Sequence, residues 1–238
     1  VNQLIGEASR VRYGTNGRKS APITIRIPYG GGVRGGLYHS QSVEVLFAHT
    51  PGLKVVAPAT PYDAKGLLAS AIRSNDPTIV LEHKKTYRLV RGEVPSTEYL
   101  EKIGSAEIKR EGDDLTIITY GLMLHYCLQA ADILSKTEGL HALVLDLRTL
   151  RPLDQNAIID AASHTGKVLI VQEDTPVVSI SSEVSAIISE NAFYDLDAPI
   201  TRLTPPDFPP MPFSPIQEAV FMPSTDSILE AMKKLVLL

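Results

Sequence analysis

Apolar and polar positions along this chain switch repeatedly between the alternation of a strand and the three-to-four spacing of a helix. Residues 23–28 alternate as a strand, 41–49 carry a helical stripe, and 53–58 form a short apolar run of the buried-strand type. Pro61 stands where a first helical turn tolerates proline, and Ala64, Leu67, Leu68 and Ile72 then mark the buried face of a helix over 62–73. Another apolar run occupies 78–81, just after Pro77. Together these elements make about one βαβαβ unit, and three strands with two helices form a poor sheet unless more chain joins them.

From 82 to 111 the periodicity fades while charged residues, Pro95 and Gly104 accumulate, which predicts a linker holding at most one short strand. A second run of alternating elements follows. Strands are predicted over 114–120, 141–147, 167–171 and 200–203, and helices over 122–134, 155–162 and 181–188, with Asp154 placed to cap the second helix. The proline-rich stretch 205–215 reads as irregular, and Ser224-Thr225-Asp226 caps a last amphipathic helix ending near Leu235. Strands alternating with helices in this way predict an α/β protein whose second half is a doubly wound domain.

Composition narrows the partners. The 238 residues include 27 acidic and 23 basic ones, a net charge of −4, and contain no basic block, so neither nucleic acid nor an anionic membrane surface is an expected ligand. With Cys127 alone, an internal disulfide framework and multi-cysteine metal sites are excluded, which favours a reducing compartment such as the cytoplasm or the mitochondrial matrix. No apolar run approaches the roughly 20 residues of a membrane-spanning helix, and the opening Val1-Asn2-Gln3 reads as processed or truncated. An exposed, half-built sheet at that end is expected to self-associate or seek partners.

The candidate chemistry gathers around residues 30–42. Gly30, Gly32 and Gly35 satisfy GxGxxG after a strand, yet helical periodicity starts only near Gln41 and the next strand ends without a carboxylate, so a dinucleotide fingerprint does not fit. The cluster is either a flexible surface loop or backbone that must approach a ligand closely. His39 lies directly after it, where an imidazole could exchange protons near neutral pH or serve a purely structural role. The other histidines carry less. His125 and His141 lie on or beside apolar elements, His49 and His164 near helix C-termini, and His83 in the run His83-Lys84-Lys85, which reads as solvated. Cys127 is expected to be a small core residue.

Longer motifs make the chain recognisable. Gly35-Gly-Leu-Tyr-His-Ser-Gln-Ser42, Phe47-Ala-His-Thr-Pro-Gly-Leu-Lys-Val-Val56 and Pro61-Tyr-Asp-Ala-Lys-Gly-Leu-Leu68 resemble the beta subunits of thiamine-dependent 2-oxoacid dehydrogenases. Within that family they resemble the branched-chain (2-oxoisovalerate) type most. The resemblance continues through Glu93-Val-Pro95, Val144-Leu-Asp-Leu-Arg-Thr-Leu-Arg-Pro-Leu-Asp154 and Asp195-Leu-Asp-Ala-Pro-Ile200, and so covers essentially the whole chain.

It implies part of a pyrimidine-binding, thiamine diphosphate-binding domain over 1–85, a linker over 86–111 and a transketolase C-terminal-type domain over 112–238. His39 matches the family's active-site histidine. The family's glutamate that activates the pyrimidine ring is placed before Val1, so the chain by itself is expected to be inactive. A structural potassium ion is implied at Ala21, Ile23, Thr24, Ala71, Ser74 and Asp76, with Thr24 contributing its hydroxyl. The implied assembly is α₂β₂, in which the alpha subunit holds most of the thiamine diphosphate and its magnesium. Further implied partners are the subunit-binding and lipoyl domains of a dihydrolipoyl acyltransferase. The corresponding activity is oxidative decarboxylation of branched 2-oxoacids with acyl transfer to lipoyllysine. The alternatives are the pyruvate-specific relative, or for this chain a non-catalytic assembly module.

Overall fold

Two sheets that meet at the ends of their strands organise the computed structural model, which describes residues 1–209 and 211–238. The chain opens with α1 (Asn2–Gly6), a 3-10 turn (Ala8–Arg10) and α2 (Val11–Gly14), none of which the periodicity anticipates. Next come β1 (Thr24–Tyr29), α3 (Gly36–His39), α4 (Glu44–Ala48), β2 (Lys54–Val56), α5 (Pro61–Ile72) and β3 (Thr78–His83). The helix expected over 41–49 is therefore found shortened as α4, and a separate single turn, α3, precedes it across Ser40–Val43. Thr60 caps α5, its side chain accepting the Asp63 N–H, while Pro61 fills the first helical position as expected.

The expected linker is partly structured. It contains α6 (Thr86–Leu89) and β4 (Glu107–Arg110), and β4 is the edge strand of the second sheet, paired antiparallel with β6. Beyond it run β5 (Leu115–Thr119), α7 (Leu122–Glu138), β6 (Ala142–Asp146), β7 (Thr149–Arg151), α8 (Gln155–Thr165) and β8 (Val168–Val171). The chain ends with α9 (Ile180–Asn191), a 3-10 turn (Phe193–Asp195), β9 (Thr201–Leu203), α10 (Pro215–Phe221) and α11 (Thr225–Val236). The stretch 205–215 is irregular up to Ser214, Pro210 lying outside the described residues, and Pro215 opens α10 from the first helical position.

Strand order in the first sheet is β1-β3-β2-β7, the first three parallel and β7 antiparallel. In the second it is β4-β6-β5-β8-β9, parallel from β6 onward. Every position of β5, β6 and β8 is buried, as central parallel strands covered on both faces require. Ile158 and Ala162 of α8 and Val184 and Ile188 of α9 pack on one face. On the other lie Met123, Cys127 and Leu134 of α7 with Ile228 and Met232 of α11.

The two sheets share a core. Tyr29, Val55, Ile79 and Leu81 of the first pack in one apolar cluster with Ile118, Leu145 and Ile170 of the second. β7 stitches them covalently, because the chain leaves β6 and within three residues pairs with β2. Arg148 sits at this crossing with φ +51°, its carbonyl accepting the Ala57 N–H at 2.7 Å while the Leu147 N–H reaches Thr119 at 2.9 Å.

Candidate functional site

The glycine loop leaves the C-terminal end of β1 and reaches α3, whose last residue is His39. Gly30 adopts φ +88°, and a Cβ there would lie 2.1 Å from His83 Nε2, so only glycine lets the backbone run against that ring. The loop is not a loose surface segment. Gly31 N–H donates to Glu173 Oε1 at 2.5 Å, and the N–H groups of Gly32 and Arg34 both donate to Glu218 Oε1, at 2.9 and 3.2 Å. Gly35 N–H donates to Ser40 Oγ at 3.1 Å, closing the turn that contains α3. His39 itself is exposed, and its carbonyl accepts Lys84 Nζ.

His83 corrects the reading of a solvated charge run. It is 1% exposed, and its Nε2 lies 2.7 Å from Glu173 Oε2. Lys85 N–H donates to Nδ1 at 3.3 Å, which leaves Nε2 as the proton carrier toward the carboxylate. The Tyr29 ring packs edge-on against the imidazole at 5.1 Å. Burial opposes a charge on Glu173, but His83, the Gly31 N–H and Lys85 outweigh it and hold its carboxyl below the ordinary range.

Behind this pair lies a second buried carboxyl. Glu44, in the first turn of α4, is fully buried and accepts the Tyr120 hydroxyl at 2.8 Å, while its Oε2 has no hydrogen-bond partner. Desolvation first, then the nearby Asp174 and Glu173, push it up to about 8. Burial likewise raises Asp174 and holds the Tyr29 and Tyr120 hydroxyls well above their usual range.

Glu173 and Asp174 follow the C-terminal end of β8, beside β5, where the second sheet changes its direction of winding; ligands of open α/β sheets gather at such a point. The signal was present in the sequence as two acidic residues closing the apolar run 167–171. Neither these residues nor Glu44 and Glu218 stand out by motif, and Arg148 lies in the motif 144–154 without being singled out there.

The residues matched to a potassium ion lie around the start of β1 and the turn from α5 into β3. The Ile23 carbonyl accepts Thr78 N–H at 2.9 Å, and the Ala71 carbonyl accepts Ser74 N–H at 3.1 Å. The Asp76 carbonyl accepts the hydroxyls of Ser74 and Thr78 at 3.0 and 3.1 Å. Lys54 Nζ donates to Ser74 Oγ at 3.0 Å and stands 3.6 Å from Asp76 Oδ2, while Asp76 Oδ1 pairs with Arg12. Among the described residues no three His, Cys, Asp or Glu side chains are grouped to hold a metal ion.

The remaining histidines are peripheral. His125 is half-buried on α7 and pairs with the Ala59 carbonyl at 2.8 Å, His164 pairs with Asp113 at 2.9 Å, and His49 ends α4. His141 is exposed rather than part of a core. Cys127 is buried and unpaired, its thiol pushed up by desolvation. Among the described residues no helix is long and apolar enough to cross a membrane.

Known proteins place this geometry. The family model "Transketolase, pyrimidine binding domain" matches residues 3–90, and "Transketolase, C-terminal domain" matches 104–228. The chain is 59% identical to 2-oxoisovalerate dehydrogenase subunit beta of Bacillus subtilis over 235 residues, 99% of this chain and 72% of that protein. It is 48% identical to the pyruvate dehydrogenase E1 component subunit beta of the same organism, over 98% of this chain and 71% of that protein. A solved split-gene transketolase, described as an inactive beta4 tetramer, shares the fold with a TM-score of 0.71 at 23% identity, covering 92% of this chain and 68% of that one. Both halves of the sequence are thus matched, and the chain belongs to the transketolase-like family of beta subunits of thiamine diphosphate-dependent 2-oxoacid dehydrogenases.

Proposed function

We propose that this chain serves as the beta subunit of a branched-chain 2-oxoacid dehydrogenase, working with an alpha subunit in an α₂β₂ assembly. The observation that carries the substrate class is the 59% identity to a 2-oxoisovalerate dehydrogenase beta subunit against 48% to a pyruvate dehydrogenase one, each over nearly the whole chain. Residues 1–85 form the pyrimidine-binding part and 112–238 the C-terminal part, with 86–111 connecting them and supplying the edge strand β4. The cofactor, held with its magnesium mostly by the alpha subunit, supplies the carbanion chemistry when bound. The acyl product passes to lipoyllysine of an acyltransferase whose small binding domain docks on this assembly.

His39 fits the proton-handling part of that chemistry. Its exposed imidazole rides on a single helical turn closed by the Gly35–Ser40 hydrogen bond, where a ring nitrogen can donate or accept a proton. Its role is to hold or move a proton at a ring nitrogen as the acyl group changes carriers. The potassium corner offers oxygen donors of the kind a hard cation takes, the Ile23 carbonyl accepting the Thr78 N–H and keeping a second lone pair.

The test assembles the beta subunit carrying this sequence with its alpha subunit and compares 2-oxoisovalerate with pyruvate. Preference for 2-oxoisovalerate, and a loss of roughly 10²–10⁴ in acyl transfer for His39→Asn, support the reading. Preference for pyruvate would assign the chain to the other branch of the family.

A further inference from the structure

We propose that Glu173 and Glu218, both from the C-terminal half, are positioning residues that clamp the glycine loop and thereby set where His39 stands. The inference rests on the reading of His39 given above. Left to itself, residues 30–36 would be a poor support for an imidazole. Gly30, Gly32, Arg34 and Gly36 all have positive φ, from +59° to +88°, and glycine segments of this kind have many accessible conformations.

The clamp comes from across the domain boundary. Glu173 lies 142 residues beyond Gly31, and Glu218 lies 186 residues beyond Gly32. Both carboxylates are nearly buried, and between them they accept three of the loop's amide N–H groups. A carboxylate accepting backbone N–H makes a stronger bond than a neutral acceptor, and removing it from a buried site leaves the N–H unpaired. Glu173 is itself held by His83, against whose ring Gly30 packs. Met211, Met222 and Phe213 of the C-terminal half crowd the loop at Gly31 and Gly36. His39 follows three residues after Gly36 on one helical turn, so its position is inherited from the clamped loop.

Amide hydrogen exchange on the beta subunit carrying this sequence tests the clamp without any cofactor. Glu218→Ala is expected to speed exchange over residues 31–39 by about tenfold or more while β5 is unchanged, and Glu218→Gln, which keeps an acceptor, is expected to restore most of the protection. Glu173→Gln, which exchanges the carboxylate that accepts His83 Nε2–H for a neutral amide, is the second variant should the alanine protein fail to fold, and accelerates the same window. In the assembled enzyme Glu218→Ala is expected to lower kcat with little change in KM for the oxoacid, and Glu218→Gln to rescue it. Unchanged exchange over 31–39, or acceleration spread equally into β5, would overturn the proposal. Local acceleration with a His39→Asn enzyme of unchanged turnover would keep the clamp and defeat the catalytic reading of His39.

Discussion

Replacing Glu44 by glutamine tests the buried carboxyl that accepts the Tyr120 hydroxyl. Its folded value of about 8 lies well above the 4.5 of an unperturbed glutamate, because burial and the neighbouring Asp174 and Glu173 disfavour the charge. Between those two values the native chain binds a proton that the unfolded chain has released. Stability therefore falls as pH rises through that window and levels off above about 8. At about 1.4 kcal/mol per unit the shift sets a ceiling of about 5 kcal/mol, and relaxation around a newly formed charge reduces it, leaving about 2–4 kcal/mol between pH 5 and 8. Glu44→Gln keeps an acceptor for the Tyr120 hydroxyl and removes the titration. Urea denaturation of both proteins at pH 5, 6.5 and 8 reads the difference directly. The variant should gain on the wild type as pH rises and be the more stable at pH 8. Asp146, also raised by burial to about 7, titrates in both proteins and cancels from the difference. A gap that stays flat within about 0.5 kcal/mol across that range would refute the reasoning.

Three further outcomes follow from the packing. Arg148, 5% exposed, bonds Asp63 at 2.8 Å, Glu107 at 2.7 Å and Glu101 at 3.1 Å, so Arg148→Met should cost about 1–3 kcal/mol in chemical denaturation by leaving Asp63 Oδ1 without its partner while Lys109 and Thr60 still hold Oδ2. Leu67→Ala removes a fully buried side chain from the cluster of α5 with Val56 and Val80 and should cost about 2–5 kcal/mol by the same measurement. If the corner at Thr24 and Ala71 binds potassium, the melting temperature should be higher in KCl than in choline chloride of equal ionic strength, and Thr24→Val should remove the difference.

Much of the secondary structure is legible in local pattern. The apolar runs at β5, β6 and β8, Pro61 at the first position of α5, the Asp154 and Ser224 caps and the amphipathic stripe of α11 all appear where period and capping place them, because each depends on residues within one or two turns. The elements that pattern misses have non-local support. β7 is three residues long and pairs with β2, almost a hundred residues earlier in the chain, and α10 begins at the proline that closes an irregular stretch. The helix expected over 41–49 begins only at Glu44, whose buried carboxyl is held by Tyr120, 76 residues further along the chain.

The site divides in the same way. By itself the sequence determined an α/β chain, a glycine loop after a strand, and a histidine in a motif shared with beta subunits of thiamine-dependent enzymes, since period, glycine content and motif are all local properties. Only the tertiary structure decided that His83, followed by two lysines in the sequence, is buried against Glu173, ninety residues away, and that Glu173 and Glu218 grip the loop from the other half. Burial and ion pairing depend on distances in space, and those exist only once two sheets with separate sequence origins have packed together.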